Sequence, residues 1–363
     1  MARPSPKPHP EPLRGPDRLL ANRGPFIDLR SPGEFSTGAV PGAVNLPLLN
    51  DDERHQVGLT YKAEGQAAAI ALGETLVSGP VKDARLAAWL AFIEDHPDTW
   101  LYCWRGGLRS RNAQGWLREA GMSIERVPGG FKALRQRCLE VLDAAPGTRP
   151  WLVLGGRTGT GKTVVLNEAS GSIDLEGLAN HRGSAFGAAL SPQPTPVTFE
   201  NALAVDWLNH DHPYLLLEDE SRTIGRLAVP PAWHAQMQAA PVVILEADLE
   251  SRAAHIAEEY VAEPLALGIS ETSLAESLQG SLDRIQRRLG GLRHRQVSEQ
   301  LADGFRTGEH GPWIQSLLSW YYDPMYDYQL EKKEARVIFR GDRQAVREFL
   351  DDYEPEGRSD QVC

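Results

Sequence analysis

The chain is poor in cysteine, and its three, Cys103, Cys138 and Cys363, show none of the spacing of a metal site. An odd number leaves one thiol unpaired, which argues against a disulfide framework and suits a reducing cytoplasm. Long apolar runs are lacking too. The longest fall well short of a membrane span, and the Pro/Arg-rich start, Met1 to Gly24, has no apolar core of a secretory signal. Residues 1–19 read as a disordered lead-in. Positive charge is in deficit, with 38 Lys and Arg against 49 Asp and Glu for a net charge of −11. That balance argues against indiscriminate nucleic-acid binding and leaves room for a local basic surface. There is no internal repeat and no long low-complexity tract.

What is present is two anion-binding signatures in one chain. At 363 residues and 41% hydrophobic composition the chain is long enough for two or three packed domains. The turn-rich stretch Asp143 to Pro150 divides it, giving expected domains at 20–145 and 150–363.

The first signature is Cys103-Trp104-Arg105-Gly106-Gly107-Leu108-Arg109 followed by Ser110. Thr99 to Tyr102 reads as a strand before it, and Ser110 to Ala120 as a helix after it. Unpaired N–H groups at the helix start, with Arg105 and Arg109, should depress the thiol pKa of Cys103 and make its thiolate the nucleophile. The two glycines allow successive N–H groups to face an oxyanion. Cys138, in the helical pattern Lys132 to Leu142, reads as packing.

The second signature is a phosphate-binding loop, Gly156, Arg157, Thr158, Gly159, Thr160, Gly161, Lys162 and Thr163, between the apolar strand Pro150 to Leu154 and a helix opening at Val164. Its N–H groups wrap a diphosphate, Lys162 adds a point charge, and the Thr163 hydroxyl is a candidate Mg²⁺ ligand. Tyr214 to Glu220 is a second buried strand ending in acids; Glu218 or Asp219 binds the metal through water, or the strand is an ordinary acidic sheet edge. The loop does not identify its ester, since nucleoside triphosphates and prenyl diphosphates share the diphosphate. Strands at Leu152, Leu215 and Pro241 to Leu245 alternate with helices, the pattern of a parallel sheet; from Ser251 the pattern is mainly helical, with a late strand at Arg336 to Phe339. Arg284, Arg287, Arg288, Arg293 and Arg295 either grip a phosphate backbone or form a solvated helix face. Trp313, Leu317, Trp320 and Tyr321 have the spacing of core packing more than of base stacking.

These motifs carry resemblances. Phe26 to Phe35, with Asp28, Arg30 and Glu34, then Gly38 to Pro47 and finally Pro128-Gly129-Gly130-Phe131, resemble the rhodanese-homology domain. The active loop is longer than the six residues of common sulfurtransferases, and its Cys-x5-Arg-Ser pattern also resembles that of tyrosine phosphatases, although Tyr102 stands where their His precedes the Cys. Adding Val57 to Lys62, Asp174 to Gly187 and Glu218 to Gly225, nearly the whole chain resembles bacterial tRNA 2-selenouridine synthase. The resemblance implies an α/β protein: a rhodanese-like domain, then a P-loop NTPase-like parallel-sheet domain with a mainly helical C-terminal part. It also implies conversion of wobble 2-thiouridine in tRNAs for Lys, Glu and Gln to 2-selenouridine. Selenophosphate, supplied by a selenophosphate synthetase, is the implied selenium donor. Geranyl diphosphate would first alkylate the sulfur. On this reading Cys103 handles selenium, Arg105 and Arg109 hold the phosphate of selenophosphate, and Gly156 to Thr163 hold the diphosphate. Asp174, His181, Arg182, Glu218, Asp219, Arg222, Arg287 and Arg288 are candidates for substrate or tRNA contact. The competing readings are a sulfurtransferase fused to an ATP-dependent kinase, a Cys-dependent phosphatase, and a non-catalytic binding module.

Overall fold

The computed structural model describes residues 15–184, 186–187 and 191–355. The chain divides into two compact units, one running to Ala145 and including Pro194–Asp211, the other made of Pro146–Gln193 and the chain from His212 onward.

The first unit is built on four short parallel strands, β1 (Phe26–Asp28), β2 (Ala43–Asn45), β3 (Trp100–Tyr102) and β4 (Glu125–Arg126), in the order β2-β1-β3-β4. Phe26, Ile27, Leu101 and Tyr102 are fully buried, as expected where helices cover both faces of a parallel sheet. Helix Leu108–Glu119 buries Ala113 and Leu117 in the same core as Ile27, Leu101 and Cys103.

Two features of this unit differ from the sequence reading. The expected lead-in gives way at Pro16 to a helix, Pro16–Ala21, because Leu20 is buried and Asp17 accepts two hydrogen bonds from Arg137, at 2.6 and 2.9 Å. Residues 1–14 of that lead-in, and Cys363, lie outside the described residues. The second feature is helix Pro196–Leu208, which joins this unit from far along the chain. It buries Phe199, Leu203, Ala204 and Val205, and its Asn201 amide donates to the Ala39 carbonyl at 2.9 Å while accepting from Arg135 at 3.0 Å. A helix with so broad an apolar face must bury it, and here the first unit supplies the cover.

The second unit has a parallel sheet of β5 (Trp151–Gly156), β6 (Leu215–Glu218), β9 (Val242–Leu245) and β10 (Val337–Gly341), in the order β10-β9-β5-β6. A separate antiparallel hairpin pairs β7 (Thr223–Ile224) with β8 (Leu227–Ala228). The chain leaves β5 for β6 on one side and later returns to β9 on the other, so a crevice forms at the C-terminal end of β5, where ligands bind in such sheets. Beyond β9 the unit is mainly helical. Helix Glu271–Leu289 presents Leu274, Leu278, Leu282, Ile285 and Leu289 at three- and four-residue spacing to a core containing Val297, Leu301, Trp313 and Leu317. Each such buried side chain contributes about 2 kcal/mol. No helix among the described residues is long and apolar enough to cross a membrane.

Candidate functional site

In the first unit, Cys103 immediately follows β3 and is almost fully buried. Helix Leu108–Glu119 begins two residues before the expected start, with Gly107 at its cap, so Arg109 and Ser110 stand in its first turn among N–H groups that have no helical acceptor. The Cys103 thiol faces the Ser110 hydroxyl at 3.5 Å, and that hydroxyl donates to the Gly107 carbonyl at 3.1 Å. The closing Gly-Gly element clamps the loop from outside. Phe131 N–H donates to the Cys103 carbonyl at 2.9 Å and Lys132 N–H to the Trp104 carbonyl at 3.0 Å. Gly130 has a φ of +62°, and a Cβ there would lie 2.2 Å from the Cys103 carbonyl oxygen and 2.5 Å from the Gly106 nitrogen. Only glycine fits between these two strands of backbone.

Charge fixes the rest of this site. Arg109 reaches Glu34 with both terminal nitrogens, at 2.5 and 3.2 Å. Burial alone would raise the Glu34 carboxyl, but the hydrogen bond and charge of Arg109, with the Ser31 N–H and Arg54, hold it below its ordinary value. Beneath the loop, Arg30 and Asp28 form a fully buried ion pair, closest at 2.7 Å. The Arg30 guanidinium also donates to the Gly38 and Glu34 carbonyls, and it lies over the Phe131 ring at 3.7 Å from the centroid. Arg105 is exposed on the loop. Cys138 is a free, fully buried thiol pushed up to about 12 by burial, in keeping with packing.

In the second unit, the phosphate loop leaves β5 and enters helix Lys162–Glu168 through Gly161, whose φ is +82°. The loop borders an open cavity of about 1070 Å³. Lys162 donates to the Gly156 carbonyl at 3.0 Å and stands 3.3 Å from a Glu218 oxygen. Glu176, Glu218 and Glu220 bring carboxylate oxygens within 4.8 Å of one another around it. Burial pushes the Glu218 carboxyl up to about 7, with the nearby Glu176 charge adding to the effect and Lys162 opposing it. Glu220 is pushed well above its ordinary value by burial and by its two carboxylate neighbours, and Glu176 is raised mainly by burial. For Lys162, burial alone would lower the pKa, but the three carboxylates outweigh it and raise it.

The loop is braced from the helical part. Arg252, buried, donates to the Thr158 carbonyl at 2.8 Å and forks onto Asp323 at 2.6 and 3.0 Å. Arg157 pairs with Asp327, and the Thr160 hydroxyl donates to the Arg157 carbonyl.

Of the acids expected at the strand end, both line the cavity, Glu218 beside Lys162 and Asp219 held by Lys333 at 2.6 Å. Asp174 caps helix Leu175–Ala179, accepting from the Gly177 N–H at 2.8 Å. That cap presents Glu176 to the site. His181 lines the cavity with a buried Nδ1 that has no partner among the described residues, and burial lowers its pKa. Arg182 also lines it, donates to the Glu259 carbonyl at 2.9 Å and lies over the Tyr260 ring. Arg222, Arg284 and Arg288 are exposed cavity-lining residues, whereas Arg287 is exposed on the same helix as the last two and does not line it. Trp313, Leu317 and Tyr321 are core residues, as their spacing predicts. Sequence reasoning did not pick out Glu176 and Glu220, although both lie inside segments it singled out.

Comparison with known proteins adds the decisive observation. Residues 149–356 match the family described as tRNA 2-selenouridine synthase AAA domain, and residues 16–137 match the rhodanese-like domain family. The tRNA 2-selenouridine synthase of Shewanella loihica is 48% identical over 353 residues, covering 93% of this chain and 95% of that protein. The chain belongs to the tRNA 2-selenouridine synthase family. Proteins of the same description from Shewanella sp. strain MR-7 and Shewanella frigidimarina are 48% and 46% identical, each covering 92% of this chain and 95% and 96% of their own lengths. The Cys103 loop falls in the rhodanese-like match and the phosphate loop in the AAA match, so each family domain carries one of the two loops.

Proposed function

We propose that this chain converts wobble 2-thiouridine to 2-selenouridine, in tRNAs for Lys, Glu and Gln, in two chemical steps divided between its two sites. In the first step the thiocarbonyl sulfur attacks C1 of geranyl diphosphate. A sulfur–carbon bond forms, the C1–oxygen bond breaks with its electron pair passing to diphosphate, and the N3 proton is lost. Gly156 to Lys162 receive the departing diphosphate through backbone N–H groups and the Lys162 ammonium. In the second step the selenium of selenophosphate attacks C2, a carbon–selenium bond forms, and the carbon–sulfur bond breaks with its electron pair leaving on geranylthiolate, a far better leaving group than a thiocarbonyl sulfur. Water then takes the phosphoryl group, the selenium–phosphorus bond breaks, and inorganic phosphate and 2-selenouridine are released. Cys103 handles the selenium, while Arg105 and Arg109 hold the phosphate of selenophosphate. Selenophosphate would come from a selenophosphate synthetase, and the free thiols suit work in the cytoplasm.

The observation that carries this reading is the occurrence in one chain of a cysteine loop bearing two arginines and a separate P-loop, on the two domains matched by the family. The donor set at the cradle also fits Mg²⁺. Three hard carboxylates converge, the buried Glu218 Oε2 has no hydrogen-bond partner among the described residues, and Thr163 lines the same cavity. Bound there, Mg²⁺ would neutralise charge on the leaving diphosphate. Arg222, Arg284 and Arg288, exposed on the same cavity, are placed in this reading on the tRNA backbone, with His181 and Arg182 beside the reacting groups.

The test is mass spectrometry of nucleosides from 2-thiouridine tRNA incubated with the protein, geranyl diphosphate and selenophosphate, omitting each in turn. S-geranyl-2-thiouridine without selenophosphate and 2-selenouridine with both are the expected products. An unchanged nucleoside in every combination would refute the reading.

A further inference from the structure

A strongly basic stretch of this acidic chain forms the tip of a helical hairpin in the second unit. Helix Glu271–Leu289 turns at Gly290, whose φ is +89°, into helix Gly291–Thr307. No acidic residue lies between Asp283 and Glu299, and Arg284, Arg287, Arg288, Arg293 and Arg295 are all exposed. In a chain of net charge −11, such a run concentrates at one place an attraction for polyanions that the chain as a whole lacks.

The hairpin is anchored on one side and free on the other. Ile285, Leu289, Val297 and Leu301 are buried in the helical core. The Gln279 amide donates to the Ser298 hydroxyl across the two helices at 3.0 Å, and the His294 ring meets Asp283 at 2.8 Å. Arg293 leans back over the Trp320 ring, 5.7 Å from its centroid. Arg287, Arg288 and Arg295, by contrast, have no hydrogen-bond or ion-pair partner among the described residues. A solvated helix face ordinarily mixes the two signs and pairs them at three- and four-residue spacing. Unpaired guanidinium groups around one turn instead suit phosphates, which they hold with two hydrogen bonds each. Leu292, at the tip itself, is 72% exposed, and a Cβ on either Gly290 or Gly291 would meet nothing within 4 Å. Arg284 and Arg288, one turn apart, line the cavity of the phosphate loop, whereas Arg287 lies outside it. A strand laid along this helix therefore leads from the cavity to the tip.

We propose that the tip grips the RNA strand beside the reacting nucleotide, with Arg287, Arg288 and Arg295 on its phosphates and Leu292 against the face of an unpaired base. The inference rests on the tRNA-modifying reading of the cavity and adds to it a holding site outside the cavity. An unpaired loop suits the tip better than a duplex, because its bases can turn a face to Leu292 while a duplex keeps them stacked. These contacts reach neighbouring nucleotides alone, so the grip is the same whichever chalcogen the wobble base carries.

The test is titration of the full-length protein over a range of salt, without geranyl diphosphate or selenophosphate. The probes are an anticodon stem-loop carrying 2-thiouridine, the same stem-loop carrying 2-selenouridine, and an RNA duplex of equal charge. Wild type is expected to favour both stem-loops over the duplex. Arg287→Ala with Arg295→Ala should lower the slope of log affinity against log salt by about 1.4, at about 0.7 per phosphate of a single strand, and weaken both stem-loops roughly tenfold at physiological salt. Arg287→Lys with Arg295→Lys keeps both charges and should keep the slope. Leu292→Ser should weaken the stem-loops about fourfold, the worth of one buried methylene, and leave the slope and the duplex unchanged. A wild-type slope in the alanine variant would overturn the tip as a holding site. A wild-type protein that binds the duplex as tightly as the stem-loops, or a serine variant that weakens all three RNAs alike, would overturn the unpaired partner. Wild-type protein that binds none of the RNAs would overturn the tRNA reading itself.

Discussion

Glu218→Gln should make the second unit more stable at pH 8 while leaving it nearly unchanged at pH 5. Glu218 is fully enclosed beside Lys162, Glu176 and Glu220, and its carboxyl is pushed up to about 7 from an ordinary 4.5, chiefly by burial. The folded state therefore keeps a proton that the unfolded chain has already released as pH rises from about 4.5 to 7. Stability contributed by this group is complete below the unfolded value and lost as pH climbs through the folded one. The difference of about 2.5 in pKa, at about 1.4 kcal/mol per pH unit, amounts to roughly 3 kcal/mol. Gln has nearly the shape of the protonated acid and cannot ionise, so it retains what Glu218 loses. For a unit of this size, about 2–4 °C per kcal/mol translates to a melting temperature ~6–12 °C higher than wild type at pH 8. Thermal unfolding without ligand, followed at pH 5, 6, 7 and 8, measures it. A Glu218→Gln shift that is the same at every pH would refute the reasoning, because it would mean that Glu218 does not titrate in this range. The same charge that destabilises the empty site is what a divalent cation would use, so Mg²⁺ with diphosphate should stabilise wild type more than the variant at pH 8.

The remaining predictions concern the two sites separately. Cys103→Ala should abolish selenium insertion and leave geranylation within about twofold of wild type, whereas Lys162→Ala should remove geranylation by weakening diphosphate binding; equal loss of both steps in either variant, read by nucleoside mass spectrometry, would defeat the division of labour. Asp28→Asn strips the buried Arg30 of its counter-charge and should destabilise the first unit by about 3 kcal/mol; a denaturant-unfolding change under about 1 kcal/mol would show that the pair is not supporting the Cys103 loop. Arg284→Ala with Arg288→Ala should weaken binding across different tRNAs alike and lower the slope of log affinity against log salt by about 1–2; an unchanged salt slope would take this face off the tRNA path.

Both loops, at Cys103 and at Gly156 to Thr163, were legible in the sequence because each is a contiguous stretch whose glycines, cations and flanking elements act locally. Boundaries shifted only slightly, as with the helix that begins at Leu108 and so places Ser110 against the Cys103 thiol. What sequence reading could not supply was convergence. Glu176 meets Glu218 and Glu220 because Asp174 caps a short helix and turns it toward β6, and nothing in its spacing from Glu218 encodes that meeting. Arg252 braces Thr158 from a helix remote in sequence, and helix Pro196–Leu208 joins the first unit from beyond the phosphate loop.

The same distinction explains why the loop could not name its ester. Backbone N–H groups read a diphosphate alone, so the rest of the ligand is selected by whatever borders the cradle. Here that border is Ile256, Tyr260 and Tyr322, brought together from two helices that each carry a π-helical segment. An apolar border favours the apolar part of a ligand, because a polar group placed against it would surrender its hydrogen bonds to water without replacement. On the proposed reading, selectivity in this unit would belong to the helical C-terminal part, and leaving-group capture to the phosphate loop at the end of β5.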